Sequence, residues 1–522
     1  MGSHLFTPGK TKRNEWIIIL VCLLIGFALR YYNFDTKSLW LDEVHTFNDS
    51  RYGLKDQLSF YKQNPTYLHP PMFFVLTHLL HPFTKPERDL RIIPLVFGTL
   101  SIPLFYFLAR SFSSNIALPA TLCLIFMTYH IYLSQDARAY SLLMFLGMSG
   151  LHFFLKYLKT LRNKNLFFVA IFFALLFYAS YSAIPFIALS QILWFYKIRE
   201  DDKKPRISSF FILNASILLF CLPWIVFVAL NYHGQPAMDP LHTENPGAFW
   251  TIVYNIIQDW APQLPLTIVS VVLLIISPFF PRVRKKALIL LAVLFLPVGS
   301  LYLFCKLFKV THFLTSRYFI NFLPLFLITL FLSLNETELK FKGLKAVARP
   351  MFLFLILFIA SNLVMLPLYY RSEKQDFRGL VTYIRGHLKD GDKIFVAMKA
   401  YLPGIFHYFG LYPEGRAYVV PYTEDSRGIE YTMCLSDGNC QFTIYHSNAC
   451  CSQYVADGSR VWIIADKWTA KNRFGKDSPF VFNGRFDGSF ANFRKFPTNA
   501  SMYLFLWDPK VPLNRRIEMP IK

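Results

Sequence analysis

The chain has 522 residues, of which 54% are hydrophobic and only 16% charged, and its mean hydropathy is +0.35. Soluble domains carry about 25% charged residues, whereas the apolar residues here lie in blocks of roughly 15 to 22 residues that are typical of membrane spans. This pattern excludes a soluble enzyme, a disordered chain and a nucleic-acid-binding protein, and it attributes much of the net charge of +22 to cytoplasmic loops between spans.

The first apolar block, Trp16–Tyr31, follows the basic segment Gly9–Arg13, which places the N-terminus in the cytoplasm. No small-residue cleavage site accompanies it, so we interpret it as a retained span. In total the sequence predicts about eleven spans, with an error of about two. The later blocks are Leu90–Leu108, Ile116–Leu133, Tyr140–Tyr157, Leu166–Ser180, Ala183–Tyr196, Phe210–Leu230, Leu266–Phe280, Ala287–Cys305, Phe319–Leu334 and Met351–Leu368.

Residues 32–89 then form a first outer loop. Within this loop the apolar segment 70–82 is too short to span upright, which predicts a re-entrant or surface-lying helix. Four basic connections support the same orientation, because all of them fall on the cytoplasmic side. They are Lys156–Lys164, Lys197–Arg206, Arg282–Lys286 and Lys340–Arg349.

After the last span the composition becomes more polar, and the chain divides into a transmembrane part, 1–370, and an outer part, 371–522. Roughly 150 residues are enough for one soluble domain. Its pattern predicts a small α/β domain on the outer face. The predicted elements are a helix at Asp376–Leu388 and strands at Lys393–Met398, Arg460–Ala465 and Tyr503–Trp507.

Four of the eight cysteines, Cys434, Cys440, Cys450 and Cys451, lie within eighteen residues of this outer part. An oxidising compartment would allow them to pair. A bond between the two adjacent cysteines would be strained, so we expect each of them to pair with Cys434 or Cys440. A zinc site that includes His446 is the alternative.

Two polar motifs lie in the first outer loop. Ser38–Glu43 (SLWLDE) places the adjacent carboxylates Asp42 and Glu43 just past the end of the first span. His69 then precedes Pro70 and Pro71 at the start of the short apolar segment, where Pro-Pro is itself typical of a helix start.

Two further motifs lie at the outer ends of later spans. Tyr132–Tyr140 (YLSQDARAY) places Asp136 and Arg138 between apolar helices, where charges cost free energy unless they are paired or used. Arg317 and Tyr318 begin a late span and follow a group of cations that is unexpected on an outer face and therefore predicts an anionic ligand. These cations are Lys306, Lys309 and His312.

In order, the four motifs resemble the W-x-D-E, H-P-P, S-Q-[DE]-A-R-x-Y and R-Y signatures of bacterial GT-C glycosyltransferases. These polyprenyl-phosphate-sugar-dependent enzymes are related to the protein O-mannosyltransferases and the lipid A aminoarabinose transferase, families 39 and 83. The segment 375–379 (QDFRG) also resembles the D-W-R-G opening of their outer domain. The resemblance extends over nearly the whole chain and implies a polytopic α-helical membrane protein of GT-C type with a C-terminal α/β periplasmic domain.

The resemblance also implies roles for the acidic and basic residues. Asp42 matches the catalytic general base, and Glu43 would position the acceptor or hold Asp42 in place. Asp136 matches a second catalytic carboxylate, and Arg138 is its electrostatic partner or a phosphate contact. The donor phosphate would be bound by Arg317 of the R-Y motif together with Tyr318, Lys306, Lys309 and His69. His69 is a departure, because the aminoarabinose transferases have a lysine before Pro-Pro.

The implied reaction transfers a sugar from a polyprenyl phosphate to a hydroxyl of lipid A, an envelope glycan or a protein, with inversion. It would take place on the periplasmic face of the bacterial inner membrane, and membrane lipids would be the other partners. No cofactor is identified, and a divalent cation held by Asp42, Glu43, Asp136 and nearby histidines is an open alternative that no spacing compels. A lipid-linked-sugar flippase or transporter is the competing function, although the internal repeats typical of transporters are not seen.

Overall fold

The computed structural model describes residues 13–63, 69–195, 205–231, 249–307, 314–340, 349–410, 429–434, 441–446, 458–473, 481–486 and 501–510. The chain forms two compact units. The helical unit comprises Met1–Phe34, Gly53–Phe83 and Arg91–Pro367. The sheet unit comprises Asp35–Tyr52, Thr84–Leu90 and Leu368–Lys522, so two pieces of the predicted first loop belong to the unit that contains the C-terminal residues.

Helices make up nearly all of the described chain up to residue 371, because its apolar blocks satisfy their backbone groups internally. Of these helices, α2 and α5 belong to the sheet unit. In chain order they are α1 (Arg13–Tyr31), α2 (Leu41–Ser50), α3 (Leu54–Gln63), α4 (Met72–His78), α5 (Pro86–Asp89), α6 (Ile92–Phe112), α7 (Ser114–Phe126), α8 (Thr128–Ser134), α9 (Tyr140–Thr160), α10 (Asn163–Ala179), α11 (Ile184–Ser190), α12 (Ile207–Asn231), α13 (Phe249–Trp260), α14 (Leu264–Ile276), α15 (Arg284–Leu307), α16 (Leu323–Lys340) and α17 (Pro350–Arg371).

In the described ranges, seven helices are long and apolar enough to cross a membrane, and the number rises to nine if each bent pair is one span. The bent pairs are α7 with α8, at 61°, and α13 with the segment Leu264–Phe279, at 114°. A count of nine spans agrees with the lower end of the predicted range of eleven with an error of two. The prediction of a polytopic helical membrane protein is confirmed. Helix α13 was not predicted, and α4 is shorter than the apolar segment 70–82.

Buried polar side chains stabilise the break between α7 and α8. The N–H of Thr128, which a straight helix would direct to Leu124, instead donates to the Asn362 Oδ1 atom at 2.8 Å. The buried guanidinium of Arg30 donates to the carbonyl oxygens of Leu124 and Ile125 at 3.0 and 3.3 Å. Backbone groups inside a membrane need such partners wherever a helix is interrupted.

The C-terminal residues of the sheet unit form a six-stranded mixed sheet. Its strands are β1 (Lys393–Val396), β2 (Ile429–Cys434), β3 (Gln441–His446), β4 (Val461–Ala465), β5 (Val481–Phe486) and β6 (Met502–Trp507), in the spatial order β2-β3-β1-β4-β6-β5. The pairs β1–β3 and β1–β4 are parallel, and β4 is buried at every residue, as is typical of a strand covered on both faces. The accompanying helices are α18 (Phe377–Arg385), α19 (Leu402–Phe409) and α20 (Lys467–Arg473).

This architecture confirms the predicted α/β class of the C-terminal residues. The predicted helix and three predicted strands correspond to α18, β1, β4 and β6, whereas β2, β3 and β5 were not predicted. Cys434 ends β2, but its side chain lies outside the described part of the structure, as do residues Cys440, Cys450 and Cys451. The cysteine pairing therefore stays a prediction.

Asp392 directly precedes β1 and accepts hydrogen bonds near the start of the central strands β1 and β4. Its Oδ2 atom accepts hydrogen bonds from Arg460 at 2.6 Å, from the indole N–H of Trp462 at 2.9 Å and from the N–H of Lys389 at 3.0 Å. Burial raises the pKa of the Asp392 carboxyl, and these partners partly offset that effect. The carboxyl thus satisfies polar groups of two segments, the turn before β1 and the start of β4.

We expect the change Asp392→Ala to lower the free energy of unfolding by about 2–3 kcal/mol, because the indole N–H of Trp462 would remain buried without its acceptor. The exposed neighbour Asp390 provides the control, Asp390→Ala. Thermal unfolding of the two variants in detergent, followed by tryptophan fluorescence, measures the difference. Equal melting temperatures would contradict this role of Asp392.

Candidate active site

Asp42 lies in the first turn of α2, within the sheet unit. Its side chain is half-buried. The N-terminal end of a helix carries partial positive charge and favours the ionised form of a carboxyl group in its first turn. The position therefore suits a carboxylate that acts as a base.

Glu43, the next residue, is completely buried. Its Oε2 atom accepts a hydrogen bond from the N–H of Trp40 at 3.3 Å, and its Oε1 atom lies 3.6 Å from the ammonium of Lys374. The Lys374 ammonium also lies 5.9 Å from the centre of the Trp40 ring. A carboxylate held in this way is placed to fix the turn that carries Asp42, which is one of the two predicted roles of Glu43.

The D-F-R-G segment begins α18 next to this turn. Asp376 caps the helix by accepting a hydrogen bond from the N–H of Gly379 at 2.8 Å. A side chain at position 379 would place its Cβ atom 2.1 Å from Asp376 Oδ2, so glycine keeps the cap intact. Arg378 donates to the Thr36 carbonyl, and its own N–H donates to Ser38 Oγ at 3.2 Å.

Asp136 lies in the helical unit, in the bend between α8 and α9, and is completely buried. Arg138 is half-buried, and its N–H donates to the Asp136 carbonyl at 2.6 Å. The preceding Gln135 donates to the carbonyl oxygens of Arg30 and Tyr32 at 2.8 and 2.7 Å. The bend is thus fixed to the end of α1.

Arg317 connects the third and fourth motifs. It belongs to a 3₁₀ helix, Ser316–Phe322, and its guanidinium carbon lies 5.8 Å from the ring centre of Tyr140 and 5.6 Å from that of Tyr318. Tyr132 lies within electrostatic reach of both Arg317 and Asp136. The third and fourth motifs therefore approach each other within the helical unit.

Two further residues of this cluster, Tyr129 and Asp259, were not predicted from the sequence. Ser316 donates a hydrogen bond to Asp259 Oδ2 at 2.5 Å, and the Tyr129 hydroxyl lies 2.7 Å from Ser316 Oγ. Asp259 is only 9% exposed. A single acid near the end of the otherwise apolar α13 is the sequence signal that identifies it.

An apolar cavity of about 20 Å³ lies in the described part of the helical unit. It is lined by side chains of α13 to α16 and of the 3₁₀ helix, including Ile256, Trp260, Leu294, Phe319 and Phe326. Trp260 directly follows Asp259, and Phe319 lies two residues after Arg317. Residues that line the cavity are thus close in sequence to Asp259 and Arg317.

The remaining predicted residues are not gathered into this cluster by any described contact. His69 is exposed before α4. Lys306 is exposed near the end of α15, with its ammonium 5.8 Å from the ring centre of Tyr302. Lys309 lies outside the described residues. Among the residues that the structure does describe, no group of three or more His, Cys, Asp or Glu side chains could hold a metal ion.

Comparisons with known proteins support this assignment of motifs. Residues 68–227 match the family model of dolichyl-phosphate-mannose-protein mannosyltransferases. A search of curated proteins by sequence found no match. The fold is similar to the crystal structure of apo ArnT from Cupriavidus metallidurans, with a TM-score of 0.55 and 11% identity over 94% of this chain and 98% of that one.

ArnT from the same organism bound to undecaprenyl phosphate gives a TM-score of 0.52 and 12% identity, over 96% of this chain and 99% of that one. Both comparisons therefore extend over the helical and the sheet units. Residues 68–227 are thus similar to the mannosyltransferase family, and the fold of the chain is similar to that of ArnT.

Proposed function

We propose that the protein transfers a sugar from a polyprenyl-phosphate donor to a hydroxyl acceptor. The observation that carries the proposal is the contact of Arg317 with Tyr140, which joins a cation to the S-Q-D-A-R-A-Y motif in a unit of long apolar helices. A long apolar chain that ends in a phosphate has the complementary chemistry. The undecaprenyl phosphate bound by ArnT is a ligand of this kind.

The donor requires stabilisation of its leaving group rather than a general acid. As the bond between the anomeric carbon and the phosphate oxygen breaks, negative charge develops on the polyprenyl phosphate. A preorganised guanidinium stabilises such charge in the transition state. Arg317 has this role, and its guanidinium lies near the rings of Tyr140 and Tyr318.

Asp42 removes the proton of the acceptor hydroxyl as the new bond to the anomeric carbon forms. Its carboxylate lies in the first turn of α2 and is half-buried. Attack from the side opposite the phosphate inverts the anomeric configuration. The proton passes to Asp42 and the bonding electrons pass to the departing phosphate, so charge and atoms balance.

The other predicted residues assist these two groups. Asp136, buried near Arg317, orients the cationic side of the site, and Arg138 contributes a second cation. His69, Lys306 and Lys309 are proposed donor-phosphate contacts. We place the reaction on the periplasmic face of a bacterial inner membrane, with a cytoplasmic N-terminus and an acceptor hydroxyl of lipid A, an envelope glycan or a protein.

The first test replaces the base by its isosteric amide. We expect Asp42→Asn to lower kcat by about 10²- to 10⁴-fold, because the amide cannot accept the proton. The donor KM should change little, since the side-chain shape is retained. The measurement is sugar transfer from a polyprenyl-phosphate donor in detergent, with the exposed Asp56→Asn as control. Full activity of the Asp42 variant would exclude this assignment.

The second test addresses the donor site. We expect Arg317→Gln to raise the donor KM by about 10- to 100-fold, because charge-assisted hydrogen bonds to phosphate contribute roughly 1.5–3 kcal/mol. Arg317→Lys should restore part of the loss, since it keeps the charge but not the planar geometry. The matched control is Arg206→Gln, an exposed arginine before α12. Unchanged donor KM in Arg317→Gln would remove this residue from the site.

The acceptor is identified by mass analysis of envelope lipids and proteins from a strain that lacks the gene. The class of molecule that lacks a sugar in this strain, compared with the wild type, is the acceptor. If purified protein transfers no sugar from any polyprenyl-phosphate donor while the deletion strain accumulates lipid-linked sugar, the flippase alternative is favoured.

A further inference from the structure

The backbone just before Asp42 is held by side chains that lie more than 300 residues away in sequence. The N–H of Ser38 donates to Glu373 Oε2 at 2.8 Å, and the N–H of Leu41 donates to Gln375 Oε1 at 2.8 Å. Between them, the N–H of Leu39 donates to the Tyr408 hydroxyl at 2.7 Å. Three of the four N–H groups of residues 38–41 therefore donate hydrogen bonds to side chains of the segment after α17 or of α19.

These contacts are shielded from solvent. Ser38 and Leu39 are completely buried, and Gln375 is only 3% exposed. Burial raises the pKa of the Glu373 carboxyl, and the hydrogen bond from Ser38 partly offsets the rise. A buried N–H that loses its acceptor costs about 1–3 kcal/mol. The three acceptors therefore restrict the turn to one conformation.

A second layer of contacts orients the acceptors themselves. The Tyr408 hydroxyl donates to Glu87 Oε1 at 2.9 Å, and Glu87 lies 3.8 Å from the guanidinium of Arg378. All of these residues belong to the sheet unit. The hydroxyl of Tyr408 thus accepts from the turn on one side and is directed by a carboxylate on the other.

We infer that Glu373, Gln375 and Tyr408 are positioning residues, which fix the direction of the Asp42 carboxylate through the backbone of the turn. The inference rests on the proposed role of Asp42 as base. A general base works only within hydrogen-bond reach of its proton, and a displacement of 1 Å can lower a rate by about 100-fold. These three residues therefore contribute to catalysis without touching the substrate.

The test compares loss of an acceptor with its retention at the same position. We expect Glu373→Leu and Gln375→Leu each to lower kcat by about 10-fold or more, with little change in donor KM. Glu373→Gln keeps a carbonyl acceptor for the N–H of Ser38 and should retain most of the wild-type kcat. Equal kcat in the Leu and Gln variants of Glu373 would overturn the inference.

Tyr408→Phe provides a milder variant, because it removes a single hydroxyl and is expected to fold even if the leucine variants do not. The expected decrease in kcat is about 5- to 10-fold, which corresponds to one neutral hydrogen bond. The matched control is Tyr401→Phe, a buried tyrosine of the same unit whose hydroxyl interacts with Asp466 and Tyr503 instead. Wild-type kcat in Tyr408→Phe would contradict the inference.

A double-mutant cycle separates positioning from general damage. If Gln375 acts through Asp42, adding Gln375→Leu to Asp42→Asn should leave the residual rate unchanged. A further decrease by the same factor as in the wild-type background would show a merely structural role and overturn the inference. If Asp42→Asn is fully active, the proposed base is wrong. If Asp42→Asn is inactive while Gln375→Leu and Tyr408→Phe keep the wild-type kcat, only the positioning is wrong.

Discussion

The buried N–H groups before α2 are the constraint on which the sheet unit depends. N–H groups at and just before a helix start have no intrahelical acceptors, and for residues 38–41 the neighbouring residues supply only one acceptor, Glu43 for Trp40. The others are satisfied by Glu373, Gln375 and Tyr408. This explains why the segment 35–52 belongs to the same compact unit as the residues after Pro367, although the predicted spans separate them in sequence.

In the apolar helical unit, buried backbone groups are likewise satisfied by side chains that lie far away in sequence. Arg30 donates to carbonyl oxygens near the break of α7 and α8, and Gln135 donates to those at the end of α1. Ser316 is held by Asp259 at the start of the helix that carries Arg317. Polar residues in apolar helices therefore determine where helices bend, and the bends are where the signature residues Asp136 and Arg317 lie.

The two clusters correspond to the two tasks of the proposed reaction. The sheet unit presents an acid at a helix N-terminus, which favours the deprotonated base. The helical unit presents a guanidinium near two tyrosine rings among long apolar helices, which suits the phosphate and the chain of a lipid donor. Glu43 has neither role. Its carboxylate is completely buried near the ammonium of Lys374 and stabilises the turn before α2 by accepting a hydrogen bond from the N–H of Trp40.

The sequence by itself determined the membrane class, most of the spans and the signature residues, because long apolar blocks and short motifs are local signals. It identified Asp42, Asp136 and Arg317 but not α13, whose 12 residues are too few for a span signal, and so it missed Asp259. Strands β2, β3 and β5 were also missed, because strand pairing depends on partners distant in sequence. Only the tertiary structure decided that Glu43 is buried and that Gln375 holds Leu41, since a hydrogen bond between residues 334 positions apart leaves no periodic pattern in the chain.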